Sequence, residues 1–201
     1  MTRVFIVRHG ETEWNARGWL QGRSDVALSD VGRAQAARAA IALAGLVAPD
    51  AVLVSSPLSR AHDTGVAVAG VLGTVVAVDP RLRERDYGPW EGITPEARES
   101  GWPTEVEAWR SGGNPNLPGF EVHSEVRDRM VEAIEEWASR APSDLVVFTH
   151  GSSARIGMQG LLGLSLGHRT LGNLGNTCWS RLQRRADGSW TLERHNVGVT
   201  P

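Results

Sequence analysis

Four segments of the chain carry the residue types of phosphate chemistry. They are Arg8-His9-Gly10-Glu11-Thr12, Ser55-Ser56-Pro57-Leu58-Ser59-Arg60, the stretch 79–85 with Glu84 inside it, and Thr149-His150-Gly151-Ser152. Among their residues are His9 and His150, Arg8 and Arg60, and Glu84. Guanidinium forks pair bidentately with phosphate oxygens, and an imidazole can attack phosphorus. The set therefore suits an oxyanionic substrate. The remaining His, at positions 62, 123, 168 and 195, complete no metal-ligand pattern with these two. No metal and no cofactor is expected.

Each segment follows a short apolar run, at 4–7, 51–54, 75–78 and 145–148. These runs have strand length and are apolar on both faces, as in strands buried within a mainly parallel sheet. Ligands of open α/β sheets sit beyond the carboxyl ends of the strands, so four such ends converge on one patch. A later pair of alternating runs, 178–184 and 190–194, flanks Ala186-Asp187-Gly188-Ser189 and reads as a hairpin. Helical stretches fill the gaps. One starts at the N-cap Ser29 and runs to about Gly45, and a second covers 58–72. A third covers 121–140, with an apolar stripe at Val122, Val126, Met130, Ile134 and Trp137. A fourth follows Gly151. The alternation predicts an α/β three-layer sandwich, a central mainly parallel sheet with helices on both faces, in one domain over 1–201. The segment 88–119 is rich in Pro, Gly and Trp, and is expected to be a lid or substrate region with short helical pieces.

Composition narrows the chemistry. All 21 basic side chains of the 201 residues are Arg. Without Lys there is no Schiff-base amine and no Walker-type P-loop. A net charge of −2 argues against a nucleic-acid partner, which usually meets a strongly basic face. Cys178 is the single cysteine, so no disulfide forms within the chain, which fits a reducing compartment. The apolar run at 4–7 is too short for a signal peptide or a membrane span. The reading is a soluble cytoplasmic protein with a small phosphorylated substrate, no nucleic acid and no membrane partner; a homo-oligomer stays open.

The run Arg8-His9-Gly10-Glu11-Thr12-Glu13-Trp14-Asn15 resembles the signature of the histidine phosphatase superfamily, in its phosphoglycerate mutase-like branch. The resemblance continues through Gln21-Gly22-Arg23-Ser24-Asp25, Gly32-Arg33-Ala34-Gln35-Ala36 and Ser55-Ser56-Pro57-Leu58-Ser59-Arg60-Ala61. It extends to Arg81-Leu82-Arg83-Glu84 with Tyr87-Gly88, and to Thr149-His150-Gly151. The blocks fall in the family's order and cover nearly the whole chain. The resemblance implies that His9 forms a phosphohistidine and that Arg8, Arg60 and His150 line the phosphoryl pocket. It implies further donors from Asn15 and from backbone near Gly10 and Gly151, substrate contact by Gln21 and Gly22, and Glu84 as the acid that protonates the leaving oxygen. The physics agrees: fixed donors around three equatorial oxygens are the main resource for phosphoryl transfer. His9 must be neutral to attack, and neighbouring cations favour the neutral ring. Glu84 must give a proton to the alcohol and later take one from water.

The same branch holds mutases and phosphatases. Its mutases resemble one another after the Tyr-Gly pair, where a Lys and an Arg-Arg pair bind the substrate carboxylate. Here Pro95 stands at the place of the Lys, and Trp109-Arg110-Ser111-Gly112 has one Arg. A phosphomonoesterase is therefore expected, with a cofactor-dependent phosphoglycerate mutase as the alternative and a non-catalytic phosphate-ligand binder on the same fold as the third reading. Pro118-Gly119-Phe120-Glu121-Val122 departs from the family's polar pattern and suggests an apolar rim at Phe120 and Val122. The run 171–179 is similar to the matching region of glucosyl-3-phosphoglycerate phosphatases. Trp90, Trp102 and Trp109 are read as local core, with an aromatic wall over the substrate as the second reading. His123 and His168 are secondary candidates for a substrate rim, and Cys178 is read as a buried strand residue.

Overall fold

The structure is a computed structural model that describes residues 2–167 and 170–199. Six strands form one mixed sheet: β1 (Arg3–Arg8), β2 (Val52–Ser55), β3 (Val76–Val78), β4 (Asp144–Thr149), β5 (Trp179–Arg184) and β6 (Trp190–Val197). Their order is β3-β2-β4-β1-β5-β6. The first four run parallel, and β5 and β6 are added antiparallel to β1. The register lines up the strand ends that matter. Arg8 lies opposite Thr149, Phe148 opposite Ser55, and Ser55 opposite Val78. The ladder then runs one step further, with His9 N–H donating to the Thr149 carbonyl at 3.0 Å and Ser56 N–H to that of Phe148 at 2.9 Å.

Alternation along β1 explains the three layers. Val4 and Ile6 enter one buried cluster and Phe5 and Val7 the other. On the first face lie α6 (His123–Arg140) and α7 (Gly151–Leu161), with Val126, Met130, Ile134 and Ile156 buried against the sheet. On the second face lie α2 (Asp30–Ala44) and α3 (Ser59–Leu72), through Ala40, Leu43, Val68 and Ala69. Ser29 caps α2 as its sequence suggests, its Oγ accepting from Gly32 N–H at 3.0 Å. A four-residue helix, α1 (Glu13–Ala16), follows the first strand end. The α/β sandwich read from the sequence is the fold observed.

Three local readings change. The run 75–78 was expected to be buried on both faces, yet Val75 is 82% exposed and lies outside the strand, and Val78 is 49% exposed. An edge strand has a neighbour on one side only. Cys178 is half-buried and precedes β5. The third helix starts at His123, after the extended N-cap Val122, whose N–H donates to Glu125 Oε2 at 3.0 Å. The segment 88–119 carries a 3-10 turn at Gly88–Trp90, then α4 (Pro95–Gly101) and α5 (Pro103–Arg110). It folds over a small apolar cluster of its own, with Tyr87, Trp90, Val106 and Phe120 buried. Among the described residues no helix is long and apolar enough to cross a membrane.

Candidate active site

At the carboxyl ends of β1, β2 and β4 a cavity of about 170 Å³ opens. Arg8, His9, Arg60, Glu84 and Gly151 line it beyond the strand ends, with Asn15 from α1 and Gln21 and Gly22 from the loop that follows. His150 lies behind this lining, fully buried, with its ring centroid 5.1 Å from that of His9. Gly10 is not in the wall.

His9 is buried at the end of β1, and its Nδ1 is 2.6 Å from the Gly10 carbonyl. A carbonyl only accepts, so the ring proton sits on Nδ1 and the Nε2 lone pair is left for chemistry. Burial, then Arg60 and Arg8, holds His9 well below the usual imidazole range. Burial, then Arg60 and His9, does the same to His150. Both rings are neutral at neutral pH. The Gly10 N–H, expected as a donor to substrate, is already given to Thr64 Oγ1 at 3.1 Å. Gly10 serves the site through its carbonyl instead.

The cations are anchored in one part of the guanidinium and unpaired in another. Arg60 donates from Nη1 to the Ser24 carbonyl and from Nη2 to the Gly22 carbonyl, both at 2.8 Å, while its buried Nε has no partner. Arg8 donates from Nη1 to the Leu174 carbonyl at 2.7 Å, and its Nε is likewise buried without a partner. His150 Nε2 meets Ser56 Oγ at 2.8 Å, leaving Nδ1 buried and unpartnered. Ser56 Oγ accepts from Leu58 N–H, so its own proton can go to His150 Nε2 and leave the ring proton on Nδ1. An unmet buried donor costs about 1–3 kcal/mol, so Arg8 Nε and Arg60 Nε in the wall, with His150 Nδ1 behind it, favour an anion. Burial draws Arg60 down to about 10, which leaves it charged at neutral pH.

Glu84 stands across the cavity on the stretch after β3. Its Oε1 accepts from Arg85 N–H at 2.9 Å, Ser153 N–H at 2.9 Å and Ser153 Oγ at 3.0 Å. Oε2 accepts only from Ser152 N–H, at 3.2 Å, and is the oxygen free to exchange a proton. Neither Arg83 nor Arg85 pairs with this carboxylate through its side chain; the Arg85 guanidinium donates to the Glu121 carbonyl and to Asn114. Arg129 of α6 clamps the loop from behind, donating to the carbonyls of Arg81, Arg83 and Glu84 at 2.5, 2.7 and 3.2 Å.

Asn15 takes three donors on Oδ1, from Thr12 N–H, Thr12 Oγ1 and Asn176 Nδ2, so its NH2 is the group left for a ligand. Gly22 has φ +52°, and a Cβ there would come within 1.8 Å of the Glu91 carboxylate. That carboxylate ties the 21–24 loop to the lid, accepting from Arg23 N–H, Ser24 N–H, Ser24 Oγ and Tyr87 N–H.

Residues 4–198 match the family model of the histidine phosphatase superfamily (branch 1). The chain belongs to this superfamily. It is 37% identical to a glucosyl-3-phosphoglycerate phosphatase of Mycolicibacterium vanbaalenii, over 98% of this chain and 95% of that one. It is 35% identical to a probable phosphoglycerate mutase of Yersinia enterocolitica, over 82% and 76%. The solved structure of a mycobacterial glucosyl-3-phosphoglycerate phosphatase in complex with VO3 superposes with a TM-score of 0.88 at 32% identity, covering 98% of this chain and 99% of that one. The family, fold and enzyme class read from the sequence therefore stand.

The cavity of this histidine phosphatase is also lined by residues not assigned to the site from the sequence. Tyr87 and Ser152 line the cavity and meet each other at 2.6 Å, hydroxyl to hydroxyl. Burial pushes the Tyr87 phenol up, so it stays a neutral donor. Tyr87 belongs to the Tyr87-Gly88 motif and Ser152 follows Gly151, so both carry a sequence signal. Asn173 also lines the cavity and falls in the run 171–179, while Trp19 and Leu20 line it and carry no signal. Trp109 lines it too, whereas Trp90 is fully buried in the lid, so the two readings of the tryptophans divide between them. Phe120 is buried against Tyr87 and Trp90 rather than forming an apolar rim, because the lid has a core to fill. His123 is buried at the start of α6, and neither it nor Val122 is in the cavity wall. His168 lies outside the described residues.

Proposed function

We propose that this histidine phosphatase hydrolyses the phosphomonoester of a phosphorylated sugar acid, of the glucosyl-3-phosphoglycerate class, through a phosphohistidine on His9. The observation that carries this reading is the set of three unpartnered buried donors, Arg8 Nε, Arg60 Nε and His150 Nδ1, around a His9 whose Nε2 is free. Nε2 attacks phosphorus, and the three donors with the Asn15 NH2 neutralise the equatorial oxygens as charge spreads over them. The bond to the leaving oxygen breaks, and Glu84 Oε2 gives that oxygen its proton. Water then attacks the phosphohistidine, Glu84 takes the water's proton, and phosphate leaves with His9 restored. A mycobacterial relative of the same fold forms a complex with VO3, which supports an oxyanion as the kind of ligand this fold takes.

Hydrolysis rather than return transfer is supported by the charge of the walls. Arg8 and Arg60, both at the phosphoryl end, are the cationic residues among those lining the cavity. Pro95 opens α4, and Arg98 one turn on lies over the Trp109 ring at 5.9 Å. Among the described residues no further cation lines the cavity to hold a bisphosphate while the phosphoryl group moves back. The test is a turnover panel: glucosyl-3-phosphoglycerate, 3-phosphoglycerate with and without its bisphosphate, hexose phosphates, nucleotides and an aryl phosphate. Phosphate release, greatest for the glycosylated sugar acid, is expected. Mutase turnover far above hydrolysis would reverse the reading.

A further inference from the structure

Two indole rings line the same cavity as His9 and are held in the same way. Trp19 meets Trp14 edge to face with centroids 5.8 Å apart, and the Arg17 guanidinium lies over its ring at 5.4 Å. Trp109 meets Trp90 edge to face at 5.9 Å, with the Arg98 guanidinium over its ring at 5.9 Å. Each cavity tryptophan thus has a second tryptophan against it and an arginine on it. Both braces are themselves fixed. Trp90 is fully buried, and the Trp14 ring lies so close to the Gly92 backbone that a Cβ there would come within 2.7 Å of it. Arg98 is buried, and its Nη1 has no hydrogen-bond partner, so the indole is the electron-rich group it faces.

A rigid indole in a cavity wall is an apolar plane that costs no rotamer entropy when a ligand lies on it. The same cavity holds an unpaired acceptor: Gln21 is 6% exposed, lines the wall, and its Oε1 is buried without a partner. The ligand for such a place has an apolar face and a hydroxyl to donate, and carries no charge there. A pyranose ring has this combination, with C–H bonds on its face and hydroxyls at its edge. We propose that Trp19, Trp109 and Gln21 form a subsite for an uncharged pyranose ring attached to the phosphorylated part of the substrate. The C–H face packs on the indoles, and a ring hydroxyl donates to Gln21 Oε1. The subsite rests on the sugar-acid reading above, and the experiment separates the two.

The full chain is assayed with glucosyl-3-phosphoglycerate and with 3-phosphoglycerate, as wild type, Trp19→Ala, Trp109→Ala and Trp109→Phe. The ratio of the two kcat/KM values is the readout, since a general loss of fold or of chemistry lowers both substrates alike. Loss of one stacking ring is expected to lower the ratio about tenfold in each Ala variant, through KM for the glycosylated substrate, while Trp109→Phe keeps most of it. An unchanged ratio in both Ala variants overturns the subsite. If the wild type turns over neither sugar acid, the substrate reading fails, and the subsite is then judged alone. Methyl α-glucoside is titrated in the presence of inorganic phosphate while the indole N–H resonances are followed. Shifts at Trp19 and Trp109 support the subsite, and no shift at either overturns it.

Discussion

At the phosphoryl end of the cavity the chemistry is carried by a strand end, a helix start or the loop behind them. Elsewhere the walls include indoles on short pieces of chain. Arg8 and His9 leave β1, Arg60 sits in the first turn of α3, and His150 caps α7. Trp19 follows the four-residue α1, and Trp109 lies on α5 in the lid. The first region is fixed by the register of a buried parallel sheet. The second is fixed by ring against ring, and by the Glu91 carboxylate that ties the 21–24 loop to the lid. A displaced donor costs transition-state stabilisation directly. A displaced ring costs only the discrimination between substrates. Mutations in the two regions should therefore divide between kcat and KM.

The sharpest break of that contrast is Arg60→Lys. Two nitrogens of Arg60 hold the Gly22 and Ser24 carbonyls while the third is left for the anion, and an ammonium cannot span those places. A fall of about 10²–10³-fold in kcat/KM, common to every substrate, is expected from steady-state kinetics. Glu84→Gln comes next. Its loss of about 10²-fold should appear for alkyl phosphates, whose leaving oxygen needs a proton, and shrink for an aryl phosphate. Equal slowing of both would remove Glu84 from the acid role.

The pH profile separates the regions again. His9 and His150 have folded pKa values held below 6.5 by burial, so activity should stay level as pH falls through 6.5. The unfolded chain takes up those two protons near 6.5 and the folded one does not, so the unfolded state binds more protons there and stability falls with pH below that point. Thermal melts from pH 8 to 5 check this, with Tm dropping on the acid side. On the alkaline side, loss of charge from Arg60 near 10 should lower activity for all substrates. Gly92→Ala gives the smallest effect. At φ +73° and against Trp14, a methyl group strains the lid by about 1–2 kcal/mol, and a change of a few-fold in KM with little change in kcat is expected.

How much of this was legible in the sequence follows the same division. Four segments of charged and small residues lie directly after apolar runs, so the strand ends and the phosphoryl pocket can be read together. The edge strand could not, because Val75 and Val78 look the same whether a neighbour covers them or not. The use of Gly10 as an anchor for His9, rather than as a donor to substrate, depends on Thr64 from α3 and has no local trace. Arg129 was hidden for a similar reason. It reaches the Glu84 loop across about 45 positions of chain, and nothing in a helix sequence announces which carbonyls its face will meet. Trp19 was passed over beside the motif residues, since only the lid shows that its ring has a cavity to line.

The central claim is that a phosphoryl group passes through His9. Substrate labelled at phosphorus, mixed with enzyme and quenched within a turnover, should leave label on the protein in an acid-labile, base-stable bond. Peptide mapping should place it on His9, and His9→Ala should carry none and lose about four orders of magnitude in turnover. Label on another residue, or undiminished turnover in a clean His9→Ala preparation, would contradict the account.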